Sequence, residues 1–165
     1  MDIYNYSRKK KSKLTHVEGD YQFDLTYTIY SAEGLDNQNT FPGVTNRHYA
    51  VVSWTEPGSD LCTSVRRGAP NPIWKEGFRF PLNKDKNCRF LYVEVVRLNS
   101  RTEPGCSRGL VVVGRARIPL PEEVTREDQH GRFGLTRMVG SELMGEGHIF
   151  MSMRLEKPLP RPLAS

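Results

Sequence analysis

In Asn71-Pro72-Ile73-Trp74-Lys75-Glu76-Gly77-Phe78-Arg79-Phe80 a proline-stiffened turn runs into a strand. Pro72 has a fixed φ and no N–H, so it breaks whatever precedes it and rigidifies the turn. Phe78 and Phe80 lie two residues apart, and in an extended chain that spacing turns both rings to one face. Trp74 is large and apolar with a single N–H donor, suited to plugging the end of a layered core.

Outward from this segment the same period of two recurs. Leu25, Tyr27 and Ile29 alternate with Thr26, Thr28 and Tyr30, and further strands are expected at 47–54, 61–67, 77–81, 89–96, 110–118, 132–139 and 147–155. The breaks between them are turn-rich: Glu56-Pro57-Gly58-Ser59, Gly68-Ala69-Pro70-Asn71-Pro72 and Glu103-Pro104-Gly105. About eight short strands without a long amphipathic helix predict an all-β fold, an eight-stranded antiparallel Greek-key β-sandwich. Only 121–129, acidic at its start, suggests a helical turn or two. The expected organisation is a sandwich over 20–157 between a flexible basic tail at 1–19 and a flexible, proline-broken tail at 158–165.

The opening stretch also resembles the most recognisable segment of the C2 domain, N-P-x-W followed by E-x-F-x-F. Other motifs follow in the order of that family: Leu25–Leu35 ending in S-A-E-G-L, the L-x-V-x-V of Leu91-Tyr92-Val93-Glu94-Val95, and Val113-Gly114 ahead of Ile118-Pro119-Leu120. The resemblance runs over about Tyr21–Glu156, and its start and size look most like small single-domain C2 proteins of plants.

That resemblance implies three loops at one end of the sandwich, which in the family hold calcium through several aspartates, since a hard cation needs many oxygen ligands. Here the aspartate that begins D-P-Y is replaced by Arg47, ahead of His48-Tyr49, and the pair that ends V-x-D-x-D by Arg97 and Asn99. Asp36 is the one matching carboxylate retained in the first loop. Two arginines beside one carboxylate repel a divalent ion, so neither metal nor other cofactor is expected.

A chain of 165 residues fits one domain able to bury its own core. Its charge of +5 favours anionic partners, and part of the excess lies in Arg8-Lys9-Lys10-Lys11-Ser12-Lys13, ahead of the first strand. The body is therefore only mildly basic, and no nucleic acid is expected as a partner. Cys62, Cys88 and Cys106 are widely spaced and odd in number, which with no secretory signal in front points to a reducing compartment. No apolar run approaches the roughly 20 residues of a membrane span, so any membrane contact is peripheral. The expected location is cytoplasmic and peripheral at membranes; the Lys-Lys-x-Lys of the basic run also resembles a nuclear-import signal, which makes the nucleus the alternative.

Enzymatic readings are weak. Gly105-Cys106-Ser107-Arg108-Gly109 matches G-x-S-x-G, but that motif needs a strand before it and a helix after it, whereas a Glu-Pro-Gly loop precedes Ser107 and the strand-like Leu110-Val111-Val112-Val113 follows. His16, His48, His130 and His148 lack the short spacings of zinc ligands.

No catalytic residues are therefore assigned. The function these features imply is a calcium-independent C2-like module that binds anionic phospholipid surfaces or serves as an adaptor in signalling or stress response. A protein–protein scaffold without lipid binding is the alternative, and a serine hydrolase a more distant one. The candidate lipid contacts are Arg47, Arg97, Arg101 and Arg108 at the loop end, Phe41 and Val44 as apolar tips, Lys9, Lys10, Lys11 and Lys13 in the tail, and a basic strand face carrying Arg66 and Arg79, opposite in phase to Val65, Phe78 and Phe80, which are expected in the core.

Overall fold

The computed structural model describes residues 21–83, 88–98 and 110–158, apart from the side chains of 21, 22 and 83. Among them are nine strands: β1 (Tyr21–Glu33), β2 (His48–Trp54), β3 (Leu61–Cys62), β4 (Arg66–Arg67), β5 (Ile73–Asn83), β6 (Phe90–Leu98), β7 (Leu110–Pro119), β8 (Gln129–Val139) and β9 (Glu142–Glu156). Every strand pairing is antiparallel, in the order β3-β2-β6-β7-β8-β9-β1-β5, with β4 on the same edge of β2 as β3. β7 and β8 share a single residue pair, Arg115 with Thr136, so the path folds there into two layers: β3/β4-β2-β6-β7 and β8-β9-β1-β5. Since β3 and β4 are two pieces of one edge, this is the eight-stranded sandwich that the alternation predicts.

The alternation sets the core. Leu25, Tyr27 and Ile29 are buried to 0%, 1% and 0% exposure and face Val51, Val93 and Val95 of the other layer. Two polar atoms tie the layers inside this core. The Tyr27 hydroxyl and Ser53 Oγ lie 2.7 Å apart, and Trp74 Nε1 donates to the Tyr49 carbonyl at 3.3 Å. Each gives an otherwise stranded buried polar group its partner.

Trp74 reaches that position through a bulge. Between the pairs Ile29–Glu76 and Ser31–Ile73, Trp74 and Lys75 of β5 oppose Tyr30 alone, and Lys75 takes a left-handed φ of 52°. Trp74 is thereby turned inward and Ile73 left outside at 56% exposure. Phe78 and Phe80 pack against the core at half-burial, Phe78 stacked on Tyr27 at 5.3 Å between ring centroids.

Three expectations are corrected. Segment 121–129 forms no helix; its Val124 makes an isolated parallel bridge to Leu155 instead. The strand expected at 61–67 is broken into β3 and β4: the Thr63 N–H still donates to the Val51 carbonyl at 2.9 Å, but the Val51 N–H goes to the Thr63 hydroxyl at 2.8 Å in place of a backbone carbonyl. Val65 follows that break and is 42% exposed, outside the core. The tails 1–19 and most of 158–165 lie outside the described residues.

Candidate functional site

Gly34 and Asp36 both adopt left-handed backbone, with φ of 73° and 48°, as the chain leaves β1. The resulting turn drives the Asp36 carboxylate inward, where it is fully buried. A buried carboxylate survives only when its charge and lone pairs are matched. Oδ2 accepts from the Tyr49 hydroxyl at 2.7 Å and from Arg97 Nε at 2.9 Å, and Oδ1 accepts from Arg137 Nη1 at 2.6 Å. The same Arg137 nitrogen donates to Glu146 Oε2 at 3.0 Å, and Glu146 Oε2 also accepts the Asp36 backbone N–H at 2.6 Å. Two carboxylates and two guanidiniums thus form one network, assembled from the first loop, β6, β8 and β9.

The environment shifts protons accordingly. Burial pushes the Tyr49 phenol far up, and its hydrogen bond to Asp36 and the Asp36 charge add to the rise, so Tyr49 stays a donor. Burial also pushes the Glu146 carboxyl up, against the opposing pull of the Asp36 N–H and Arg137. Gly147 makes the Glu146 position reachable: its φ is +88°, and a Cβ there would lie 2.0 Å from the Glu33 carbonyl oxygen.

Arg47 stands at the mouth of the network, half-buried, donating to the carbonyls of Leu35 at 3.4 Å and Asp36 at 3.1 Å. Beside it a groove of about 580 Å³ runs between the first loop and the 68–71 turn, lined by Asn37, Arg47, His48, Arg67 and Asn71 among others. The His48 ring is hydrogen-bonded to the Asn46 side chain. No carboxylate oxygen of Asp36 is left for this groove, which leaves its charged lining cationic.

The residues present do not fit a calcium ion. Each Asp36 oxygen already accepts a charged or hydroxyl donor, and the Arg137 guanidinium occupies the space between Asp36 and Glu146. Among the described residues no group of three or more His, Cys, Asp or Glu converges as metal ligands.

The structure brings together only part of the expected contact set. Arg47 and the half-buried Phe41 and Val44 lie at the loop end. Arg97 points inward, 3% exposed, and is committed to Asp36. Phe41 lies under the Arg137 guanidinium, 3.7 Å from its ring centroid. Arg66 is exposed, 3.9 Å from Glu76, while Arg79 is paired at 2.7 Å with both Asp24 and Glu156. Arg101, Arg108, Lys9, Lys10, Lys11 and Lys13 lie outside the described residues, as do Ser107, Cys106 and Asn99. Arg137 and Glu146 were invisible to spacing arguments, being 101 and 110 residues from Asp36. The one local hint is Gly145-Glu146-Gly147, an acid set between two glycines. No described helix is long and apolar enough to cross a membrane.

Comparison with known proteins agrees with this architecture. The C2 domain family pattern matches residues 23–135. A C2 domain of plant extended synaptotagmin 1 superposes with a TM-score of 0.63 at 15% identity, over 86% of this chain and 98% of that one. A C2 domain-containing protein from a putative elicitor-responsive gene gives 0.59 at 20% identity, over 87% and 96%. Human GIVD cytosolic phospholipase A2 gives 0.59 at 17% identity over 87% of this chain, which spans only 18% of that enzyme. No curated protein matches the sequence.

Proposed function

The chain belongs to the C2 domain family, and from that premise we propose that it is a calcium-independent module whose loop end docks on anionic phospholipid surfaces. The family is one of membrane-binding and signalling modules, typically without catalysis of their own. The observation that carries calcium independence is Asp36. Its two oxygens are taken by Tyr49, Arg97 and Arg137, so protein guanidiniums supply the positive charge that a bound cation would otherwise supply.

Anionic preference is supported by the groove beside this network, where Arg47 and the exposed Arg67 flank a concavity large enough for a lipid headgroup. The basic run Arg8–Lys13 adds a second electrostatic attachment in this reading. An adaptor role in signalling or stress response is part of this proposal, and family resemblance is its support.

The test is sedimentation with vesicles containing phosphatidylserine or a phosphoinositide. The expected result is binding that is equal with calcium and with chelator, absent for neutral vesicles and largely erased by salt, which screens surface charge beyond about 8 Å at physiological strength. Binding only with calcium would overturn calcium independence, and no binding to any anionic vesicle at low salt would overturn docking.

A second reading, a protein-binding scaffold, is favoured by a separate feature. Tyr30, His130 and Phe150 border an open groove of about 640 Å³ on β1, β8 and β9, with Tyr30 and His130 stacked at 6.0 Å. A stable partner recovered without lipid affinity would favour it.

A further inference from the structure

β8 and β9 join through Gly140 and Ser141, with Gly140 at φ 63°, a two-residue hairpin turn that needs a left-handed first residue. The register across it pairs Val139 with Glu142, Met138 with Leu143 and Arg137 with Met144. Directly paired residues share a face. Arg137 and Met144 thus lie on the face toward Asp36, whereas Met138 and Leu143 form an apolar pair on the other face, 53% and 65% exposed. Met144 is itself 37% exposed.

Large exposed apolar side chains are not spread evenly over the described surface. Besides these three, Leu110 opens β7 opposite Leu98, next to the Arg97 that reaches Asp36, and Ile73 opens β5 just after the 68–71 turn. These five sit at the loop end; of the two others, Val124, bridged to Leu155, lies away from it, and Val65 lies between β3 and β4 along the edge of β2. Apolar surface gathered at one end of a small domain marks a contact surface.

We propose that the β8–β9 hairpin tip is a fourth docking element, inserting Met138 and Leu143 into the acyl region of the bilayer beside Phe41. The inference rests on the membrane-docking reading above and names the part of the molecule that makes contact below the headgroups. Arg137 fixes the geometry. It binds Asp36 and Glu146 and covers the Phe41 ring at 3.7 Å, so the first loop and the hairpin are joined through one guanidinium.

A bilayer is favoured as the occupant because apolar tips and cationic groups share this end. Arg47 and Arg67 flank the adjoining groove, and the buried carboxylates Asp36 and Glu146 are matched by Arg97 and Arg137. The exposed carboxylate on the tip, Glu142, pairs with Val139, a residue out of phase with the Met138–Leu143 pair.

The test uses the full chain and phosphatidylserine-containing vesicles at low and high salt. Met138→Ser with Leu143→Ser changes two exposed side chains and leaves the Arg137 network in place. The expected result is roughly tenfold weaker binding, concentrated in the part that survives salt, since transfer of apolar area is insensitive to screening. In a Leu143→Trp variant, brominated acyl chains should quench the added emission. If the parent chain binds while the double variant binds equally well at high salt, or the new tryptophan is not quenched, the hairpin does not insert and a protein contact takes over that surface. If the parent chain binds no anionic vesicle, the docking reading fails first and takes this inference with it.

Discussion

Arg97 Nε donates to Asp36 Oδ2 over 2.9 Å, and neither side chain has more than 4% of its surface in solvent. A guanidinium on the strand β6 thus neutralises a carboxylate of the first loop inside the protein, where the loss of one partner leaves an unmatched buried charge. Breaking such a pair costs about 3–5 kcal/mol. Arg97→Ala should fall at the lower end, near 3 kcal/mol, because Asp36 keeps Arg137 and Tyr49. Urea unfolding measures it. Arg79→Ala, which removes the pairs to Asp24 and Glu156 at a partly exposed site, should cost under about 1 kcal/mol, and equal losses would contradict the burial argument.

Calcium should leave the melting temperature unchanged up to millimolar concentration. A ligand bound only by the folded chain raises stability by mass action, so a real site would show itself as a shift that grows with calcium and vanishes on chelation. Such a shift would mean that calcium displaces Arg97 or Arg137 from Asp36.

Period-two alternation makes the core legible in the sequence, because one face of each strand must be buried: Leu25, Tyr27 and Ile29 lie where their spacing sends them. The bulge at Lys75 was not legible, since a left-handed lysine inside a strand is imposed by Trp74 entering the core and not by local propensity. The loop end divides in the same way. Arg47, Arg97 and Asp36 were marked by the positions they fill, but the sequence does not reveal that Arg97 turns inward. Arg137 and Glu146 join the cluster only because β8 and β9 return beside β1, a contact across about a hundred residues that no local pattern encodes. The helical turn expected at 121–129 rested on its acidic start alone, and the bridge from Val124 to Leu155 prevailed over it.

Gly147→Ala should destabilise by about 2 kcal/mol or more. The backbone there has φ +88°, and the added Cβ would meet the Glu33 carbonyl oxygen at 2.0 Å, an atom that cannot step aside without moving β1. Gly145→Ala is the control: nothing lies within 4 Å of its Cβ, and its effect should stay within about 0.5 kcal/mol. A harmless Gly147→Ala would show that the β1–β9 contact is slack.

Stability should be insensitive to the buried phenols below pH 10 and should fall above it. Burial pushes Tyr27 from 10.0 up to about 12, and its hydrogen bond with Ser53 only partly offsets that rise. The folded state therefore holds this proton more tightly than the unfolded chain does. Its contribution is complete below the unfolded value and is lost between 10.0 and about 12. The loss is on the order of 2 kcal/mol from Tyr27, with Tyr49 adding in the same direction. Urea titrations across that range measure it, and a flat profile would deny the burial of these phenols.

Arg67→Ala should weaken binding to anionic vesicles about fivefold, the loss of roughly 1 kcal/mol for one cation near the leaflet. Arg67 is exposed on β4 beside the groove, and no ion pair ties it to a carboxylate among the described residues, so its charge is available to a headgroup. Arg47→Ala acts at the same groove but also releases the carbonyls of Leu35 and Asp36, so its effect should be larger and accompanied by lower stability. Arg79 supplies the contrast. It carries the same charge, yet it lies between Asp24 and Glu156 beside β9 and away from the first loop, and its removal should leave vesicle binding unchanged. The distinction is positional: if charge alone drove adsorption, Arg67→Ala and Arg79→Ala would weaken binding equally, and that outcome in a sedimentation series at fixed salt would remove the loop-end groove as the headgroup site.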